Sequence, residues 1–318
     1  MTRGLLVGVS VALAAALGCG KQARPVGSPP APASFSGERA LKEAADFTAL
    51  GPRVAGTPGA ARAAEYLTGR LRTAGLEVRV DEFREATPEG TQTFRNVIGR
   101  LPGTTTGTVI LVSHYDTKSG ISPDFAGAND SGSSTGVLLE LARLLKARQG
   151  GPEIEFLFVD GEECRVSYGP HDGLHGSRRR AGQLAASGAA GRVKAVILLD
   201  MIGDRDLRVT LPRNGTRELM LAVFRAAEDE GVRGHFFLLD GAVLDDHVPF
   251  LEAGMPAVDL IDFAYGEGAG DNRYWHTAED TVGKLSAESL GIVGRVVMRM
   301  LRQGHETYRL TEFSRPGA

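Results

Sequence analysis

Three near-continuous apolar runs constrain this chain more than any other feature: Val109 to Val112, Ile154 to Val159 and Val193 to Leu199. A strand that faces water on one side alternates apolar and polar residues. Unbroken runs of this length, rich in Val, Ile and Leu, suit strands covered on both faces, as in parallel sheets. Between the first two runs, Val137 to Leu145 has the spacing of a helix, and Gly176 to Ala186 takes the same place between the second and third. Earlier, Ala60 to Ala74 reads as a helix that ends at Gly75, and Leu76 to Val80 alternates like a half-exposed strand. A helix near Arg217 to Glu230, a strand at Ala257 to Ile261 and a closing helix from Ser286 to Arg302 follow. The pattern predicts an α/β fold: a single domain with a mixed, mostly parallel central sheet flanked by helices. No internal repeat or second domain is evident.

The first residues read differently. Met1-Thr2-Arg3 is a short positive start, and Gly4 to Leu17 is an apolar run too short to span a bilayer comfortably. It closes on Ala16-Leu17-Gly18-Cys19, which resembles a bacterial lipoprotein processing site with Cys19 as the lipidated residue. A plain signal peptide cleaved nearby is the alternative. The next stretch, up to Ser36, is rich in Pro, Ala, Gly and Ser and reads as a tether. The expected organisation is therefore a signal peptide of the lipoprotein type over 1–18, a tether over 19–36, and one domain over 37–318. The expected place is the cell envelope, anchored at Cys19, or the exterior.

Only two cysteines occur, so a disulfide framework is excluded, and Cys164 reads as a small buried hydrophobe. The formal charge of −3 leaves no electrostatic footprint for nucleic acid.

Potential ligands cluster at strand ends. His114 and Asp116 follow the first apolar run, Asp160, Glu162 and Glu163 follow the second, and Asp200 closes the third. Open α/β sheets bind ligands at the carboxyl ends of their strands, so these groups should converge on one rim. A lone acid after a strand is usually a turn former or a helix cap. Three successive runs that all end in potential metal ligands are harder to dismiss. Asp130 precedes a helix, where Asp caps well, but Ser131 and Ser133 compete for that role. His276, alone, would read as an ordinary packed or surface histidine.

Taken in order, Ser113-His114-Tyr115-Asp116, Gly127-Ala128-Asn129-Asp130-Ser131, Asp160-Gly161-Glu162-Glu163, Leu199-Asp200-Met201-Ile202-Gly203 and Trp275-His276-Thr277 resemble the motif series of zinc aminopeptidases and glutaminyl cyclases. The resemblance spans roughly Ala45 to Leu301. Two features resemble the animal-type glutaminyl cyclases in particular. One is the inserted loop Tyr168-Gly169-Pro170-His171-Asp172-Gly173-Leu174-His175-Gly176-Ser177-Arg178, with Tyr168 where those enzymes carry Trp. The other is Asp245-Asp246-His247, where aminopeptidases tend to have Ser-Asp-His. Two departures stand out: Ser113 occupies a place where the cyclases carry a paired cysteine, and Asp262 to Tyr274 is longer and richer in Gly and charge.

The resemblance implies one Zn²⁺ on Asp130, Glu163 and His276, with Glu162 as proton shuttle and Asp245 and Asp200 hydrogen-bonded around it. Trp275 and Tyr168 would wall the pocket, peptide or protein N-termini would be the substrates, and the protein would act as a monomer. Under this reading an N-terminal glutamine cyclises to pyroglutamate and releases ammonia. The alternative is a two-zinc aminopeptidase, with His114 and Asp200 as second-site ligands and Asp130 bridging. A binding module that keeps the fold without activity is a third reading, and loss of ligands would mark it. No ligand position is lost.

Overall fold

The computed structural model describes residues 34–307 apart from 149 and 269, together with the first two residues. The leader, most of the tether and Cys19 lie outside the described residues. Phe35 and Ser36, expected to close the tether, belong to the domain instead. Phe35 is buried, its ring against Gly294, and the Ser36 hydroxyl accepts the N–H of Arg39 as a helix cap.

Eight strands form one sheet: β1 (Glu77–Thr87), β2 (Gly90–Leu101), β3 (Thr108–His114), β4 (Glu153–Val159), β5 (Val193–Asp200), β6 (Val209–Pro212), β7 (Phe236–Leu239) and β8 (Ala257–Ile261). Their order across the sheet is β1-β2-β4-β3-β5-β8-β6-β7. The four central strands, β4, β3, β5 and β8, are parallel to one another. The β1–β2 hairpin runs antiparallel along β4, and β6 meets β8 antiparallel through a single pair. The expected mixed, mostly parallel sheet is present.

The apolar runs are continuous because both faces are covered, and alternate residues serve different layers. Val109, Leu111, Phe156, Phe158, Ile197 and Leu199 point into one core. That layer holds α1 (Gly37–Thr48), α2 (Pro58–Thr73), α3 (Ser134–Leu145), α5 (Arg217–Asp229) and α7 (Ala287–Thr307). Ile110, Val112, Leu157, Val159, Val196 and Leu198 point into the other, beneath α4 (His175–Ala186) and α6 (Val248–Glu252). Each such side chain contributes about 1.5–3 kcal/mol by leaving water.

The ends of α2 follow local chemistry. Pro58 stands in its first turn, where the missing N–H costs nothing, and Gly75, at φ 82°, leads the chain out after the Ala74 cap. Among the described residues no helix is long and apolar enough to cross a membrane.

Candidate active site

Because β3, β4 and β5 run in one direction, their carboxyl ends open on the same rim, and the groups expected there meet. His114 is the last residue of β3, Asp200 the last of β5, and Glu162 and Glu163 lie on the turn after β4. Asp130 sits in an irregular turn, Ala128–Ser133, that runs into α3. Its carboxylate does not cap that helix. One oxygen, Oδ1, lies 3.0 Å from His114 Nε2, and the other, Oδ2, lies 3.1 Å from His276 Nε2. His276 Nε2 is also 3.0 Å from Glu163 Oε1, and His114 Nε2 is 3.3 Å from Asp200 Oδ1. Two sets of donor atoms result, Asp130–Glu163–His276 and His114–Asp130–Asp200, and they share Asp130.

The first set suits a divalent metal. Donors bonded at about 2.0–2.1 Å around a tetrahedral ion stand ~3.3 Å apart, close to the 3.0 and 3.1 Å seen here. An imidazole with two carboxylates is also a donor set that zinc accepts. Burial disfavours charge on both rings, yet the surrounding carboxylates outweigh it, so His114 is held well above its usual range and His276 is pushed up to about 10. Burial would raise Asp130, but hydrogen bonds from the two rings hold it below the usual carboxylate range.

Long-range hydrogen bonds place these ligands. Asp116 is fully buried, and its two carboxylate oxygens accept the backbone N–H groups of Glu162 and Glu163 at 3.1 and 3.2 Å. Asp280 does the same for Asn129 and Asp130 at 2.7 and 3.2 Å, and the Tyr265 hydroxyl donates to it at 2.7 Å. The fully buried Arg53 donates to the carbonyls of Tyr115, Ala126 and Gly127, which brace the turn before Asp130. Lys118 lies 3.4 Å from Glu163 Oε2 and donates to the Cys164 carbonyl and sulfur. Cys164 is buried and free, as a small core residue would be. Ser113, in the place of a cysteine, is also buried and shares a hydrogen bond with Ser134 at 2.8 Å.

The sequence marked Asp116 as a potential ligand, whereas its oxygens hold the backbone of Glu162 and Glu163, and it marked no role for Asp280, Arg53 or Lys118. Asp116 was visible as a polar residue just past an apolar run. Asp280 follows Glu279 in what reads as a solvated acidic pair, and nothing local marks it.

The cluster opens into a small chamber of about 40 Å³. Glu162, Asp200 and Asp245 line it beside the ligands, with Tyr168, Phe263 and Trp275 as its aromatic wall. Trp275 is 40% exposed and stacks on the His276 ring at 4.2 Å. The Tyr168 hydroxyl donates to Glu162 Oε1 at 2.8 Å. Burial, then the adjacent Glu163 charge, raises Glu162 well above the carboxylate range. Burial, then Asp200 and Asp246, does the same to Asp245, and burial raises Asp200 against the pull of His114. Three carboxyls biased toward protonation thus face one small space, an arrangement suited to moving protons. A larger cavity of about 380 Å³ opens at the opposite ends of the strands around the Glu155–Arg180 ion pair, and none of these groups reaches it.

Residues 96–301 match the model of "Peptidase family M28". A glutaminyl-peptide cyclotransferase-like protein from Bos taurus is 30% identical over 281 residues, covering 79% of this chain and 72% of its own length. The crystal structure of an Acidobacteriales bacterium glutaminyl cyclase superposes with a TM-score of 0.81 at 36% identity, over 88% of this chain and 98% of that one. A Porphyromonas gingivalis glutaminyl cyclase follows at 0.75 and 29%, over 85% and 99%. The chain belongs to peptidase family M28 and, within it, stands among the glutaminyl-peptide cyclotransferases.

Proposed function

We propose that this protein is a zinc-dependent glutaminyl-peptide cyclotransferase, an acyltransferase that converts the N-terminal glutamine of peptides or proteins to pyroglutamate. The observation that carries the reading is the chamber: Glu162, Asp200 and Asp245, all buried, stand beside the Asp130–Glu163–His276 trio. A bound Zn²⁺ would supply Lewis acidity toward the γ-carbonyl of the substrate. The substrate's own α-amine forms the new N–C bond, the bond to the side-chain amide nitrogen breaks, and ammonia leaves. Glu162 accepts the amine's proton and passes it to the departing nitrogen, with Tyr168 fixing its orientation. Asp200 and Asp245 hydrogen-bond around the reacting carboxamide. Trp275 and Tyr168 close the walls against water.

The second donor set, His114–Asp130–Asp200, favours one other reading, a two-zinc aminopeptidase that hydrolyses N-terminal residues. One experiment separates them. The zinc-loaded protein is given a Gln-initiated peptide and, separately, a leucyl amide. Cyclisation predicts loss of one ammonia from the first and no leucine from the second. Rapid leucine release without ammonia loss would establish the hydrolase.

The anchor at Cys19 and the monomeric state remain proposals carried by sequence alone. Cys19→Ala should free the protein from the membrane fraction with catalysis intact, since stable anchoring needs the acyl chains that this cysteine would carry. Equal partition of the two proteins would favour the plain signal peptide.

A further inference from the structure

Beside the chamber lies a second depression, of about 300 Å³, and the two share Tyr168 and Leu244 as a common wall. Its remaining apolar lining comes from Pro170, Leu174, Val248 and Pro249. Two charged residues also border it. The Arg178 guanidinium is engaged by the carbonyls of Pro170 and Gly173, and Glu252 is exposed at the end of α6. Apart from these two, the groove is lined mainly by apolar side chains. Three large apolar side chains left exposed line the two depressions: Leu244 at 51%, Trp275 at 40% and Tyr168 at 38%. Apolar area left open at a site rim marks a surface that a ligand covers.

We infer that this groove receives the side chain of the third residue of the peptide substrate and selects an apolar one. The inference rests on the cyclisation reading, which puts the N-terminal glutamine in the chamber. An extended peptide sends successive side chains to opposite sides. With the first side chain buried in the protein, the second points away and the third returns to the surface. That third side chain lands ~7 Å along the chain from the first, one strand repeat, about the reach of a groove divided from the chamber by a single wall. The continuity through Tyr168 and Leu244 is what names the occupant. A peptide leaving the chamber past that wall has the groove next in its path.

The test compares four zinc-loaded reactions by ammonia release: Gln-Gly-Gly-Gly, Gln-Gly-Leu-Gly, Gln-Leu-Gly-Gly and Gln-Gly-Glu-Gly. Leucine at position three should lower KM about tenfold relative to glycine and leave kcat alone, because the contact is present in ground and transition state alike. Glutamate there should give no such gain. Val248→Ser should bring the leucine and glycine KM values together. Glu252→Leu, at an exposed position that folding tolerates, should widen the gap. Equal KM for leucine and glycine at position three overturns the inference, as does a preference confined to position two. Ammonia release from none of the four overturns the cyclisation reading and this inference with it, a result distinct from cyclisation without selectivity.

Discussion

The Tyr168 hydroxyl donates to Glu162 Oε1 at 2.8 Å, so an aromatic from a half-open surface loop orients a buried carboxyl at the centre of the site. Asp172 in turn holds that loop, accepting the backbone N–H groups of Arg165, Val166 and Ser167. Tyr168→Phe keeps the wall and removes the hydrogen bond. We expect kcat to fall about tenfold with zinc content unchanged, in line with the loss of one buried hydrogen bond. Metal analysis beside steady-state kinetics checks this. A variant with full kcat would reduce Tyr168 to a wall.

Under the proposed cyclisation, Glu162 acts through its proton. Glu162→Gln preserves shape, and ammonia release should fall between about 100- and 10,000-fold, the range for loss of a general acid–base. Because a hydrolase also needs that shuttle, Asp245→Ser is the discriminating change. It should remove most cyclisation while zinc stays bound, measured as mass loss from a Gln-initiated peptide in parallel with zinc content. Unimpaired cyclisation in that variant would release Asp245 from the mechanism.

Asp116 is in neither donor set, but it holds the backbone of both paired glutamates and its Oδ1 lies 3.6 Å from His114 Nδ1. Asp116→Asn turns an amide NH₂ toward one of those N–H groups. Zinc affinity and kcat/KM should each drop about 10- to 100-fold, the range for residues that orient metal ligands. Competition with a calibrated chelator reads the affinity. Wild-type affinity would show that the turn holds its shape unaided.

Metal loading should be linked to protons with a definite sign. In the metal-free protein His276 is pushed up to about 10, burial being outweighed by hydrogen bonds to Asp130 and Glu163. At neutral pH its ring is charged, and a metal on Nε2 must expel that proton. Zinc affinity therefore rises as pH rises toward about 10 and weakens as pH falls. Calorimetric titration in buffers of differing ionisation heat counts the released protons. A count of zero would mean that His276 is not a ligand.

The ligand trio itself is tested by single replacements. Asp130→Ala, Glu163→Ala and His276→Ala should each lose most of the bound zinc, and chelation of the wild type should abolish an activity that added zinc restores. Full activity of His276→Ala in metal-free buffer would end the zinc reading.

Much of this architecture was legible in the sequence for a physical reason. A strand buried on both faces needs an unbroken apolar run, so β3, β4 and β5 announced themselves, and their shared direction made their polar ends meet. The helices between them carried their own period, and β8 was found at its full extent. The hairpin strand β2 was not, because its outer half faces water and only its inner half is buried. Nor were β6 and β7, four residues each, too short to show a period. Helix α1, which fills the groove above α3 and α7, went unread behind the tether composition.

At the site the division is sharper. Local sequence marked His114, Glu163 and Asp200, which sit at or just past strand ends, whereas His276, in a turn far from any strand end, carried no local mark. Only the tertiary structure decided which oxygens and nitrogens lie within bonding reach, and which buried acids hold them there. Asp280 and Asn129 are 151 positions apart and meet at 2.7 Å, and no local pattern encodes such a meeting. A helix or a strand is set by neighbours a few residues away, whereas a hydrogen bond between loops exists only once the sheet beneath them has formed.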